Sequence, residues 1–254
     1  DFKVFPLSQL GNNLQMIEQT QLGTLDCTCS ATAFLSGAYP PVAALGLPFL
    51  FPDDGDSLRA ILKHGKATKF MRDDLSTVGF KGAAFHTVGF KQFTNSKKPI
   101  TKLEDFKGIK FRAMASPILL AQFKALGANA IPIPFPEVYN ALQTGLADGQ
   151  ENPYWFIYQM KIYEVQKYLS VSNHAQIALY NLLSKKFWNK LSPDLKKIFD
   201  DAFVEAEKIT WNRAREIDGE AIDKLKKGGL KFSNITAKER ERLRQATVNV
   251  KEAY

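Results

Sequence analysis

The sequence is poor in the residues that carry metal and redox chemistry: 254 residues hold two cysteines and three histidines. Cys27 and Cys29 sit together in LDCTCSA. Strand alternation places both side chains on one face with Cα atoms about 6.6 Å apart, near the upper limit for a disulfide. No histidine or further cysteine lies nearby to complete a metal site, so they read as two buried strand cysteines that say little about redox compartment. His64, His86 and His174 are far apart and lack partners at ligand spacing. Also missing are a nucleophile elbow, a Walker loop, a dinucleotide glycine fingerprint and an HExxH zinc signature. No apolar run approaches the roughly 20 residues of a membrane helix. The opening DFKVFPLSQLG lacks the basic-then-apolar pattern of a secretory signal. It reads as a strand beginning in mid-fold, which favours a trimmed chain.

What is present suffices for a packed core. Hydrophobic residues make up 45% and charged residues 24%, which argues against global disorder. At about 150 residues per domain, the length allows one large domain or two lobes. Lysine and arginine outnumber acids 34 to 26, a net charge of +8. These cations stand in ones and twos between acids, as in KERERLR, and form no long block of the kind that binds nucleic acid or a membrane. They read as a solvated basic surface whose field favours encounter with a small anion.

Along the chain, Asn12 and Asn13 are placed to cap a helix carrying Leu14, Ile17 and Leu22, and TLDCTCS follows as a short strand. ATAFLSGAYPPVAALGLPFLF is apolar but broken by Pro40, Pro41 and Pro48, and reads as short helices and tight loops. Residues 54–75 have the spacing of one amphipathic helix. GFKGAAFHTVGFKQFTNS reads as extended chain with glycine breaks. A strand–helix rhythm follows: strand IKFRAM, helix SPILLAQFKALG with Ser116 as N-cap and Pro117 in the first turn, strand NAIPIP, and helix FPEVYNALQTG ended by Gly145. Such alternation predicts an α/β fold with parallel pairing. YLSVSNHAQIALYNLLS adds two extended runs. Residues 193–227 keep helical periodicity throughout, opened by Ser192 and Pro193 and stopped by Gly228 and Gly229. Such a helix is about 50 Å long, more than one compact lobe needs. It is placed to tie two lobes together, with a bend near Gly219.

Residues 135–153, FPEVYNALQTGLADGQENP, run from a helix into a turn and then present Gln150, Glu151 and Asn152 before Pro153. Asp148 and Glu151 are a pair of acids suited to acid–base work, although turn formation by Asp148 and Gly149 is the simpler account. Asn152 has the position of a helix N-cap, with proline favoured just after it. A cap uses the amide oxygen and leaves the NH2 free to donate to an anion, at a helix end that itself attracts negative charge. Arg112 ends the strand IKFRAM, where α/β sheets gather ligands. A guanidinium there either grips a carboxylate with two parallel hydrogen bonds or is an ordinary surface arginine, and spacing alone leaves both open. His174, in VSNHA, reads as a hydrogen-bonded structural residue.

IKFRA, then LGANAIPIPFPEVYNALQTGLADGQENP, then YEVQKYLSVSNH resemble the solute-binding proteins of TRAP transporters, the DctP-type family. FPLSQLG, GLPFLF and GFKQFTNSKKPI with LEDFKGIKFR fit the same pattern in the same order, so the resemblance covers essentially the whole chain. It implies a two-lobed α/β fold like that of periplasmic binding proteins, with a cleft between the lobes and a long helix spanning them. Lobe I is expected at residues 1–89 plus 178–217, and lobe II at 90–177 plus 218–254. The implied protein is an exported periplasmic receptor without enzymatic activity or cofactor. It captures a small organic anion such as a dicarboxylate, keto acid or sugar acid by hinge closure. It then delivers it to an ion-gradient-driven permease with small and large membrane subunits. No nucleic acid partner is implied, and members occur as monomers or homodimers. The alternatives are a ligand-sensing receptor for a signalling partner, and an enzyme on the same scaffold with Glu151 or His86 as base.

Carried over onto this sequence, Arg112 matches the arginine that grips the ligand carboxylate, Asn152 an asparagine that hydrogen-bonds the ligand, and Phe135 an aromatic packed on its carbon skeleton. Lys91 falls where many members have a second arginine; it keeps the charge and loses the planar fork. Asn13 and Ser30 hold positions that often face the cleft from the other lobe. Ala31 stands where sialic-acid-binding members carry a glutamate, which disfavours that ligand. Family members begin with a further strand and helix of roughly thirty to forty residues, so the resemblance also implies a trimmed form.

Overall fold

The computed structural model describes residues 3–6 and 8–253. Residues 1 and 2 of the expected opening strand lie outside the described residues, and residues 3–5 carry no regular structure. Helix α1 (Asn13–Leu22) begins with a reciprocal cap. The Asn12 side chain accepts from Gln15 N–H while the Gln15 amide oxygen accepts from Asn12 N–H, so two donors otherwise left unpaired at a helix start are satisfied. Strand β1 (Cys27–Ala31) leads into α2 (Thr32–Leu35) and a proline-started 3-10 segment, Pro40–Gly46. The expected single helix over 54–75 is instead α3 (Gly55–His64) and α4 (Lys66–Asp74). Gly65 between them is extended, at φ −64° and ψ 140°, and interrupts the helical hydrogen bonds.

The remaining elements are β2 (Phe80–Phe90), β3 (Gln92–Asn95), β4 (Lys110–Ala113), α5 (Pro117–Ala125), β5 (Asn129–Pro132), α6 (Val138–Gln143), β6 (Gly149–Asn152), α7 (Tyr154–Gln159), β7 (Tyr168–Val171), β8 (Gln176–Ser184), α8 (Lys185–Lys190), α9 (Pro193–Lys227), β9 (Lys231–Asn234) and α10 (Ala237–Ala246). Ser116 stands at the N-cap of α5 without a side-chain bond to it, so Pro117 alone supplies the start signal. Asn152 is not a cap. It is the last residue of β6, and α7 begins at Tyr154 after an extended Pro153.

The strands form two sheets, ordered β1-β8-β2 and β5-β4-β6-β3-β7-β9. The first is antiparallel. In the second, β4 runs parallel to β5 and β6, and β7 parallel to β9, while β3 is antiparallel to both β6 and β7. Parallel pairing therefore holds for the strand–helix–strand units of β4, β5 and β6, and for β7 with β9, whose connection runs through β8 of the other sheet and α9. β3 enters directly from β2 of the other sheet and β7 leaves directly into β8, so these connections carry no crossover helix and impose no parallel direction.

Each sheet anchors one lobe. Phe93, Phe111 and Phe123 pack ring against ring beneath the larger sheet, each buried aromatic contributing about 1.5–3 kcal/mol. Helix α9 belongs to two cores: Trp211 sits in one, and Ala221 and Leu225 in the other. Its hydrogen-bonded run is unbroken across Gly219, and Gly228 and Gly229 end it as expected. Among the described residues no helix is long and apolar enough to cross a membrane.

The cysteines differ from expectation. Both are free, Cys27 is half-buried and Cys29 exposed, while their strand neighbours Thr28 and Ser30 are buried. Strand β1 turns its small hydroxyl residues inward and its thiols toward an open cavity of about 1300 Å³.

Candidate functional site

Arg112 is brought to the centre of the molecule by β4, a strand covered on both faces. Its side chain is 1% exposed. The guanidinium Nε donates to the Ile133 carbonyl at 2.8 Å, and the group lies over the Phe135 ring at 5.9 Å. Phe135 in turn meets Phe156 edge to face at 5.4 Å. The Nη2 atom is buried with no hydrogen-bond partner among the described residues. Burial lowers the guanidinium to about 10, opposed by the charge of Glu151, so it remains cationic at neutral pH. A buried cation with an unpaired donor is costly, and an incoming carboxylate is the group that offsets that cost best.

Strand register sorts the other candidates. Arg112 is level with Gln150, Gln150 with Thr94, and Asn152 with Gln92. Paired residues project from the same face of a sheet, so Arg112, Gln150 and Asn152 share one face. Asn152 Nδ2 donates to Gln150 Oε1, and Gln150 Nε2 donates to Thr94 Oγ1 at 2.9 Å. From the smaller sheet's side, Asn13 Nδ2 donates to Ser30 Oγ at 3.0 Å. Asn13 also lines a cavity of about 60 Å³ whose opposite wall includes Ile133 and Pro134. The fold thus brings Arg112, Phe135, Asn152, Asn13 and Ser30 around one interlobe region.

Lys91 is elsewhere. Glu151 pairs with Phe93 and lies on the opposite face of the sheet from Arg112. There the Lys91 ammonium binds Glu151 Oε1, both side chains being at most 2% exposed. Glu151 Oε2 also accepts from His174 Nε2 at 2.7 Å and from Gln122 Nε2 at 2.7 Å. His174 Nδ1 lies 2.7 Å from Ser172 Oγ, and its ring stacks on Phe93 at 3.9 Å. The closer contact directs the Ser172 hydroxyl to Nδ1, which assigns the ring hydrogen to Nε2. Burial opposes the Glu151 charge, but Lys91 and His174 more than compensate and hold its carboxyl well below the usual range. Burial pushes His174 down to about 4 despite the Glu151 hydrogen bond, so the imidazole is neutral at pH 7. The acid pair suggested by DGQE does not form a unit. Asp148 accepts from Lys110 N–H at 3.0 Å and meets Lys97 at 3.2 Å.

This buried cluster stitches the two chain crossings between the sheets. Lys91 N–H donates to Ala175 O at 2.8 Å, and the Gln92 amide oxygen accepts from Ser172 N–H at 2.8 Å. Gln122, Ser172 and Gln92 escaped a reading based on motif positions, and Glu151, singled out there as an acid, is the shared acceptor of the buried cluster. The alternation of GQEN along a strand was the signal available for Glu151, because it separates that acid from its neighbours Gln150 and Asn152. His86 is buried, and burial lowers the pKa of its ring against the opposing contact with Asn181. Among the described residues no group of three or more acids, histidines and cysteines could hold a metal.

Gly149, where β6 begins, lies close against β3 and β4. A Cβ there would lie 2.4 Å from Thr94 O, 2.9 Å from Asn95 Cβ and 2.9 Å from Phe111 Cε1. Gly149→Ala is expected to destabilise by about 1–3 kcal/mol through overpacking, read as a lowered melting temperature. An unchanged melting point would show that β6 can move away from β3.

The family model for DctP, bacterial extracellular solute-binding protein family 7, matches residues 1–254. The chain belongs to this family, the solute-binding proteins of TRAP transporters. A 2,3-diketo-L-gulonate-binding periplasmic protein of Escherichia coli is 35% identical over 228 residues, 90% of this chain and 69% of the relative. A C4-dicarboxylate-binding periplasmic protein of Rhodobacter capsulatus is 34% identical over 242 residues, 94% of this chain and 72% of the relative. Among solved structures, a TRAP periplasmic solute-binding protein from Desulfovibrio salexigens with bound orotic acid superposes with a TM-score of 0.95 at 41% identity, covering 100% of this chain and 81% of that one. One from Sulfurospirillum deleyianum with bound succinate gives 0.91 at 35% identity, covering 96% and 80%.

Proposed function

We propose that this chain captures a small organic acid outside the cytoplasm and presents it to a TRAP permease made of a small and a large membrane subunit. The observation that carries the reading is the Arg112 guanidinium, buried at a strand end beside the interlobe cavity with Nη2 unpaired. Its planar fork suits a carboxylate, Asn152 adds an amide on the same sheet face, and Phe135 packs on the ligand skeleton. Asn13 and Ser30 face the same region from the other lobe. The relatives that bind diketogulonate and dicarboxylates, and the solved proteins holding orotic acid and succinate, support a carboxylate ligand.

Capture proceeds by hinge closure. The chain crossings at Lys91 and at residues 172–175 flex between lobe I, residues 1–89 plus 178–217, and lobe II, residues 90–177 plus 218–254. Closure removes water from the cleft and strengthens the charge-assisted bonds inside. Lys91 acts in this scheme through Glu151 and the hinge rather than by touching the ligand. A thermal-shift screen of organic acids tests the reading, because a ligand preferring the native state raises its melting point. At least one carboxylate is expected to raise the melting temperature at millimolar concentration; no response to any carboxylate, with neutral sugars or amines active instead, overturns the proposal.

A further inference from the structure

Arg112 keeps an unpaired donor although amide side chains stand beside it, and a chain of directed hydrogen bonds accounts for this. Gln166 starts the chain. Its Nε2 donates to two backbone carbonyls, Asp148 O at 3.2 Å and Val165 O at 3.0 Å, so its Oε1 is fixed as an acceptor. Thr94 Oγ1 gives its single hydrogen to that oxygen at 3.0 Å. The hydroxyl then has only lone pairs left for Gln150, which must present Nε2, at 2.9 Å. Gln150 Oε1 is thereby turned to Asn152 and accepts from Nδ2. Each bond dictates the next, so the two carbonyls on Gln166 settle which way round the Asn152 amide sits. All four side chains are buried.

Without that constraint the amides would turn the other way. Gln150 is level with Arg112, and Asn152 lies two residues further along the same face of β6. Diagonal neighbours on one sheet face are within reach of a long side chain. The buried Nη2 has no hydrogen-bond partner among the described residues, so an amide oxygen free to turn would be drawn to it. A protein carbonyl in that place would satisfy the guanidinium and compete with an incoming carboxylate. The relay instead holds Gln150 Oε1 on Asn152 and turns the nitrogen end of Asn152 toward the Arg112 row. Nδ2 keeps its second hydrogen for the ligand.

We propose that Gln166, Thr94 and Gln150 are positioning residues for ligand capture: they withhold protein acceptors from Arg112 and keep Asn152 facing the cleft as a donor until a carboxylate enters. This rests on the carboxylate-capture reading above. The probe is whichever of succinate, pyruvate, gluconate and benzoate raises the melting temperature most, titrated by calorimetry into the full chain. Thr94→Val keeps the side-chain shape and removes the hydroxyl. It is expected to weaken binding about tenfold, because a protein oxygen now competes for the guanidinium and only part of the population is competent to bind. Thr94→Ser should restore most of the affinity. In an Asn152→Ala background the end of the relay is already cut, so Thr94→Val should cost less than about twofold further. A threonine that matters only for packing would cost the same in both backgrounds. Gln166→Leu frees the Thr94 hydrogen to turn toward Gln150 and is expected to weaken binding in the same direction, which keeps the relay testable should Thr94→Val fail to fold. Equal losses in the two backgrounds, or parental affinity in both Thr94→Val and Gln166→Leu, with binding still lost in Arg112→Ala, overturn the relay and leave carboxylate capture standing. Binding of all four acids that is absent, or indifferent to Arg112→Ala, overturns both.

Discussion

Replacing Arg112 by alanine is expected to weaken binding of the cognate acid by about 100-fold or more, with little loss of stability. Two charge-assisted hydrogen bonds, at about 1.5–3 kcal/mol each, disappear with the fork. The ligand's carboxylate, buried by closure, loses its partner, and within the protein the Ile133 carbonyl loses one bond. In the unliganded protein the substitution removes a desolvated cation whose Nη2 has no partner and whose one protein bond is to the Ile133 carbonyl. The apo melting temperature should therefore stay close to that of the parent. Arg112→Lys should recover only part of the affinity, because an ammonium keeps the charge without the planar pair of donors. Calorimetry on all three proteins checks this. Near-parental affinity in Arg112→Ala, or a collapse of the apo fold, would show the guanidinium to be structural.

Glu151 should behave in the opposite way, as a residue of stability first. Its carboxylate is the shared acceptor of Lys91, His174 and Gln122 in a fully buried cluster. Glu151→Ala leaves the Lys91 ammonium buried and uncompensated and is expected to cost about 3–5 kcal/mol, a fall in melting temperature of about 6–20 °C. Glu151→Gln keeps an acceptor for His174 but still strands the ammonium. Combining it with Lys91→Met removes the buried charge as well, so the double variant should be more stable than Glu151→Gln alone. A double variant that is worse than the single would mean that packing, not charge, dominates the cluster.

The same cluster gives stability a pH dependence. His174 titrates at about 4 in the folded protein, against about 6.5 in an unfolded chain. The unfolded state binds the proton first as pH falls, so this contribution is complete above about pH 6.5 and lost between there and about pH 4. The depressed Glu151 carboxyl extends the loss further into acid. Asp218, which burial raises to about 6, acts in the other direction. Denaturant melts of the parent and of His174→Gln from pH 4 to 7 separate the terms: the parent should lose more stability on acidification than the variant. Parallel curves would remove His174 from the account.

Local chemistry was legible in the sequence wherever the deciding atoms are close along the chain. The Asn12 cap, the Pro193 start and Gly228–Gly229 stop of the long helix, and the two extended runs in 168–184 all follow from interactions within a few residues. The break at Gly65 was not legible, because the amphipathic periodicity of 54–75 continues on both sides of it and only the extended backbone there divides the helix. The EVYNALQTG-x-x-DGQENP signature likewise sufficed for the family. Tertiary structure decided the rest. Asn152 could be a cap or a strand end on local grounds, and pairing with Gln92 makes it a strand end. Lys91 and Arg112 look equivalent as cations near one pocket, and only the register of β3, β6 and β4 puts them on opposite faces. Register depends on contacts between residues about 20 to 60 positions apart, where a one-residue slip reverses every side chain. The pairing of Glu151 with Lys91 and His174, on the sheet face away from Arg112, is set by that register.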